Sequence, residues 1–182
     1  MKKQSNIAYI LRISLTLLVI TAVVAALLAG VNYITAPIIA AANEEKTQEA
    51  INAVLPGGGE PVAFNDATGL VTNVYASQTG YAVQVTPSGF DGEITMMVGV
   101  DTEGKVLGIS IISHTETAGL GAVAAADNAK GQAFREQFIG MSGELAVSKD
   151  GGEVDAITGA TIASRAVTEG VNAALACVAN MG

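Results

Sequence analysis

Residues 94–112 read Ile94-Thr95-Met96-Met97-Val98-Gly99-Val100-Asp101-Thr102-Glu103-Gly104-Lys105-Val106-Leu107-Gly108-Ile109-Ser110-Ile111-Ile112. A run rich in Met and Val gives way to a polar stretch with one glycine, and a second apolar run answers it. Asp101 to Lys105 has the chemistry of a hairpin turn, so the two runs are expected to pair as antiparallel strands. Upstream, Tyr81-Ala82-Val83-Gln84-Val85 alternates apolar and polar, while Thr86-Pro87-Ser88-Gly89-Phe90-Asp91-Gly92 has loop composition. Strand patterning holds from about Val71 to Ile112 and predicts a small antiparallel sheet.

Working outward toward the C-terminus, His114 to Gly121 forms a polar loop containing glycines. A short helical region is expected at about Asn128 to Phe138, and a brief strand near Val147. Asp150-Gly151-Gly152 reads as a turn. A longer helix is expected from about Ile162 to Asn180, with Val167, Val171, Leu175 and Val178 on its buried stripe. Sheet and helices occupy separate stretches of chain, which makes the class α+β.

Toward the N-terminus, Ile13 to Val31 is a run of nineteen residues without a charge. At about 1.5 Å per residue it covers roughly 28 Å, one hydrocarbon core. Tyr9 and Tyr33 flank it at interfacial positions. Lys2, Lys3 and Arg12 precede it, and Glu44 and Glu45 follow. The expectation is a single membrane-spanning helix with a cytoplasmic N-terminus and an extracytoplasmic body. A cleaved signal peptide is the competing reading, with Ala40-Ala41-Ala42 as cleavage site, but the apolar run is long for an h-region and ends well before those alanines. A buried core helix fails because the segment has no polar face. Pro37 can open a second helical stretch, about Ile38 to Leu55, which Pro56-Gly57-Gly58-Gly59 stops. The expected division is 1–12 cytoplasmic, 13–33 transmembrane, 34–59 helical connector and 60–182 folded domain.

The chain has 182 residues and a net charge of −8. From Ile13 onward it carries six basic residues against seventeen acidic ones, which disfavours nucleic-acid binding. With Cys177 as the single cysteine and His114 as the single histidine, no intrachain disulfide, multi-cysteine cluster or multi-histidine metal site can form. No acid–base pair or nucleophile constellation stands out, so no catalytic residue and no metal ligand is assigned. Redox or group-transfer chemistry would need a borrowed cofactor.

Thr158-Gly159-Ala160-Thr161 lies where strand patterning gives way to helix. The first N–H groups of a helix lack partners and its dipole is positive there, so the position suits an anion. Gly159 and Ala160 allow close approach, and Thr158, Thr161 and Ser164 offer hydroxyls. The bland alternative is an ordinary N-cap, at Thr158 or Thr161.

The surrounding string, Asp155-Ala156-Ile157-Thr158-Gly159-Ala160-Thr161-Ile162-Ala163-Ser164, resembles the FMN-binding segment of the RnfG family of Rnf electron-transport complexes. The related C-type component of the sodium-pumping NADH:quinone oxidoreductase shares the pattern. A second string, His114-Thr115-Glu116-Thr117-Ala118-Gly119-Leu120-Gly121, resembles the family's loop beside the flavin ring. Ala118 stands where the family has proline, and Ala163 where threonine or serine is common. The resemblance implies FMN esterified through its phosphate to Thr161, with Thr158, Gly159, Ala160 and Ser164 around the phosphate. It implies Glu116, Thr117, Gly119, Leu120 and Gly121 at the ring. A carboxylate there can accept a hydrogen bond from the ring and tune it, which makes Glu116 the candidate for that role; the plainer reading is a solvated loop carboxylate. A threonine hydroxyl with no local base needs outside activation, and the resemblance implies attachment by a separate flavin transferase that uses FAD and Mg²⁺. The implied role is a flavoprotein subunit relaying electrons in an ion-translocating membrane complex, with other subunits and membrane lipid as partners. Two alternatives remain open: the quinone-reductase component, and a non-redox anchored binding or sensory module.

Overall fold

The computed structural model describes residues 4–181. Lys2 and Lys3, two of the basic residues behind the expected orientation, lie outside them. The chain divides into two compact units, one reaching to Glu45 and one from Lys46 onward.

Helix α1 runs Gln4–Val54, with Pro37 inside it rather than opening a new helix. Within the first unit its apolar side chains are exposed: Leu15 at 63%, Leu27 at 65%. Such a surface is stable against lipid and not against water. Hydroxyls that would otherwise need water are satisfied inside the helix. Thr16 donates to Arg12 O at 2.8 Å and Thr35 to Val31 O at 2.9 Å. A stretch beginning at Ala8 is long and apolar enough to cross a membrane.

The second unit is built on a five-stranded antiparallel sheet in which every strand neighbours its sequence neighbour: β1 (Glu60–Pro61), β2 (Val71–Ala76), β3 (Gly80–Val85), β4 (Ile94–Asp101) and β5 (Val106–His114). The central strand β4 shows why the Met/Val run lacks clean alternation. Met96, Val98 and Val100 enter one core and Met97 the other, so β4 is buried on both faces. The β4–β5 turn forms as expected. Gly104 takes φ +78, and Asp101 Oδ1 accepts from the N–H groups of Glu103 and Lys105, both at 2.8 Å.

One sheet face is covered by α3 (Thr161–Ala179), with Val167, Val171, Ala174, Cys177 and Val178 in a core shared with Val83, Val85, Met96 and Val98. Gly170 lets the helix lie close: an added Cβ would meet the Met96 side chain and Pro87 Cγ. The opposite face is covered by the end of α1. Ala50, Ile51, Val54 and Leu55, at helical spacing, pack on Ala82 and Met97. The end of the expected connector helix, from Lys46 to Leu55, thus belongs to the compact unit, because its apolar stripe finds a half-empty sheet face. Between β5 and α3 lie α2 (Ala129–Glu136), capped by Asn128, and a 3₁₀ turn at Ser148–Asp150. Val147 forms an isolated parallel bridge with Val154 rather than a strand.

Candidate functional site

The segment before α3 is a β-turn: Ala160 N–H donates to Ile157 O at 2.9 Å. Gly159, at the third position, has φ +80, a conformation natural only to glycine. Helix α3 then starts with Ala160 at the N-cap and no side-chain capping bond. Thr158 is exposed, and Thr161 is the first helical residue. The ordinary-cap reading of either threonine therefore fails. The leading N–H groups of α3 have no side-chain cap, and these are the groups an anion satisfies.

Ser164 corrects an expectation. Its hydroxyl is fully buried, donates to Ala160 O and accepts from Ile157 N–H, both at 3.0 Å. Both directions are used, so it staples the turn to the helix and does not face a phosphate.

The Thr161 hydroxyl has a partner that the sequence does not single out. Lys149 Nζ, on the 3₁₀ turn, donates to Thr161 Oγ1 at 2.8 Å. Its neighbour Asp150 forms a bidentate pair with Arg165, Nε and Nη2 each 2.6 Å from a carboxylate oxygen. The Arg165 guanidinium holds the Asp150 carboxyl below its ordinary value, first through the hydrogen bonds and then through charge. Successive turn residues thus address two helix positions four apart, which lie on one face of α3. Lys149 and Thr161 lie twelve positions apart; the only local sign in the sequence is the Asp-Gly-Gly turn that folds the segment back.

The loop 114–121 is held against the β3–β4 loop. Glu116, 8% exposed, accepts from Phe90 N–H at 2.6 Å and Asp91 N–H at 3.4 Å through Oε1. Its carboxylate fills a slot between Gly89 and Gly121, either of which would strike it with a Cβ. It is a buried clamp rather than a solvated loop carboxylate. Thr115 adds a second tie, donating to Asp91 O at 3.0 Å. His114 Nδ1 is buried without a partner.

These two segments meet. A cavity of about 180 Å³ is lined by Glu116, Thr117, Leu120 and Gly121 from the loop, and by Gly159, Ala160, Ile162 and Ala163 from the start of α3, with Phe90. Leu120 would contact a Cβ at Gly159 at 3.1 Å, so the loop and turn are in close approach. Phe90, Leu120 and Ile162 are 69%, 45% and 48% exposed and form an apolar rim. Gly119, at φ +77, sits exposed at the loop tip, and Thr158 and Thr161 stand outside the cavity lining. Among the described residues no group of acidic, histidine and cysteine side chains could hold a metal ion.

An α+β domain with a helix start open to an anion, beside an apolar-rimmed cavity, is the architecture of a small cofactor-carrying domain. An FMN-binding domain matches residues 89–176, and an RnfG N-terminal region matches residues 1–54. Three relatives are G-type components of ion-translocating oxidoreductase complexes. That of the Na(+)-translocating ferredoxin:NAD(+) oxidoreductase complex of Acetobacterium woodii is 34% identical, over 99% of this chain and 97% of its own. That of the proton-translocating ferredoxin:NAD(+) oxidoreductase complex of Clostridium ljungdahlii is 38% identical, over 82% and 80%. That of the ion-translocating oxidoreductase complex of Methanosarcina acetivorans is 31% identical, over 91% and 93%. The chain belongs to this RnfG family of ion-translocating oxidoreductase complexes. It is an FMN-binding-domain protein anchored to a membrane by the apolar part of α1.

Proposed function

We propose that this chain is the flavoprotein subunit of an Rnf-type complex and relays electrons between neighbouring subunits through FMN esterified to Thr161. The observation that carries the reading is the meeting of the open start of α3 with the cavity beneath the 114–121 loop. The residues fit the group. The leading N–H groups of α3 and Lys149 suit the phosphate, Gly159 leaves room beside it, and Phe90, Leu120 and Ile162 offer apolar contact to the ring. When bound, FMN supplies the redox chemistry, which the chain's own residues lack.

Glu116 lines the cavity, and its charge there disfavours a negatively charged ring. Full ligand pockets enclose roughly 300–1,000 Å³. A cavity of about 180 Å³ covers only part of a flavin and leaves an edge for a partner. So partial a grip favours a covalent link, because a free ligand would be lost.

Arg12 ahead of the apolar run and Glu44 and Glu45 behind it support a cytoplasmic N-terminus and a domain on the outer face. Other complex subunits, a flavin transferase and membrane lipid are the partners this reading requires. The test is intact-mass and peptide spectrometry after co-expression with an active flavin transferase. The Thr161 peptide is expected to carry FMN less one water, and Thr161→Ala to abolish the added mass. Retention of denaturation-resistant flavin in Thr161→Ala overturns the assignment.

A further inference from the structure

Lys149 is the residue of this region whose chemistry the fold does not need. Among the described residues the ion pairs are Lys105–Glu103, Arg135–Asp127 and Arg165–Asp150, so Lys149 is tied to no carboxylate. Its ammonium is instead set on the Thr161 hydroxyl at 2.8 Å. In a domain with a large acidic excess, a cation at that spot is conspicuous. Resting on the reading of Thr161 as attachment site, we infer that Lys149 promotes flavin transfer to Thr161 and then neutralises the resulting phosphodiester.

In the transfer step, Thr161 Oγ1 bonds to the FMN-side phosphorus of FAD. The bond from that phosphorus to the bridging pyrophosphate oxygen breaks, and AMP leaves with that oxygen. The hydroxyl proton departs to a base, and no electron changes hands. Lys149 is not that base: an ammonium has three donors and no acceptor. The base belongs to the transferase. Lys149 acts by holding the Thr161 oxygen by a lone pair, with a positive charge beside the oxygens that gain negative charge as the bond forms. After transfer the same charge faces the single negative charge of the diester, at the helix end where the dipole also favours an anion.

The placement is built, since Asp150 next to it is locked to Arg165 by two bonds of 2.6 Å, fixing the 3₁₀ turn over the start of α3. Arg165's charge is thereby committed, which leaves the phosphate to Lys149. Asp150 is accordingly a positioning residue.

The experiment uses the full-length chain in detergent with a purified flavin transferase, FAD and Mg²⁺, following FMN incorporation by intact mass. Lys149→Gln is expected to cut the rate constant for transfer by roughly tenfold, below the 10²–10³ lost with a preorganised donor in an enclosed site, because Lys149 is exposed. The loss is expected mainly in kcat rather than KM for the protein, with thermal unfolding unchanged. Lys149→Arg is expected to restore most of the rate, and Asp150→Asn to give a smaller loss. Once loaded, Lys149→Gln is expected to show a displaced ³¹P resonance relative to wild type. Equal rates and equal ³¹P shifts in wild type and Lys149→Gln overturn the inference while leaving attachment intact. An equal loss in Lys149→Arg assigns the effect to the shape of the turn and also overturns it. A wild-type chain that gains no mass sinks the attachment reading itself.

Discussion

Replacing Ser164 with alanine separates two roles for that hydroxyl. The substitution removes one oxygen from a fully buried position and leaves the apolar packing of α3 nearly unchanged. Ala160 O loses one donor but keeps Ser164 N–H at 3.0 Å, so its cost is small. Ile157 N–H loses the Ser164 oxygen, also at 3.0 Å, in a half-buried turn. An orphaned donor costs about 1–3 kcal/mol, so the expected destabilisation is about 2 kcal/mol. At a urea m-value of about 2 kcal/mol/M, the midpoint falls by about 1 M. The assay is urea unfolding of the detergent-solubilised chain prepared without flavin, so that no phosphate is present. A phosphate-contacting serine predicts no change in that flavin-free protein and a deficit only in loading. An unchanged midpoint therefore refutes the staple.

Gly99→Ala drives a Cβ to 2.9 Å from Val54 Cβ, against the α1 end that covers the second sheet face. A loss of about 1–3 kcal/mol is expected in the same unfolding assay, and no loss would show that this helix end does not dock as described. Asp66 binds the Thr68 hydroxyl at 2.6 Å, Thr68 N–H at 2.8 Å and Val71 N–H at 2.9 Å. Burial alone would raise its carboxyl, but these hydrogen bonds outweigh burial and hold it below the ordinary 3.8. Because the folded value is the lower one, its contribution is present above pH 3.8 and disappears as pH falls through the folded value. The stability gap between wild type and Asp66→Asn is expected to be widest near neutrality and to close in acid. A gap that does not vary with pH contradicts it.

The fold is largely legible because its signals are local. Alternation in β3, turn residues at 101–105 and the apolar stripe of α3 each act over a few residues, and the structure follows them closely. The buried run of β4 also reads as strand, though only packing reveals that two cores share it. The site is legible in part. Glu116, Thr117, Leu120, Gly121, Gly159 and Ala160 do converge on one cavity. Ser164 misleads because a hydroxyl near a helix start can face outward or bond back to the preceding turn, and the composition is the same either way. Lys149 escapes notice because nothing in an isolated lysine points to a threonine twelve positions on; the Val147–Val154 bridge and the Asp150–Arg165 pair bring them together. The connector's last helical residues look like those of any amphipathic helix, and their partner face is supplied by β3 and β4.

The small volume of the cavity beside α3 also bears on residence time. A free molecule gripped over so little area escapes quickly and is then diluted into its surroundings. A group fastened at Thr161 meets the same cavity at an effective concentration on the order of millimolar. Even a feeble intrinsic affinity then keeps it mostly seated, and each departure is followed by recapture. If attached as proposed, the ring on such a leash would be able to tilt out toward one neighbour and return toward another. The domain would then act as a stationary post with a moving contact, setting the reach of a single electron hop by the length of the tether.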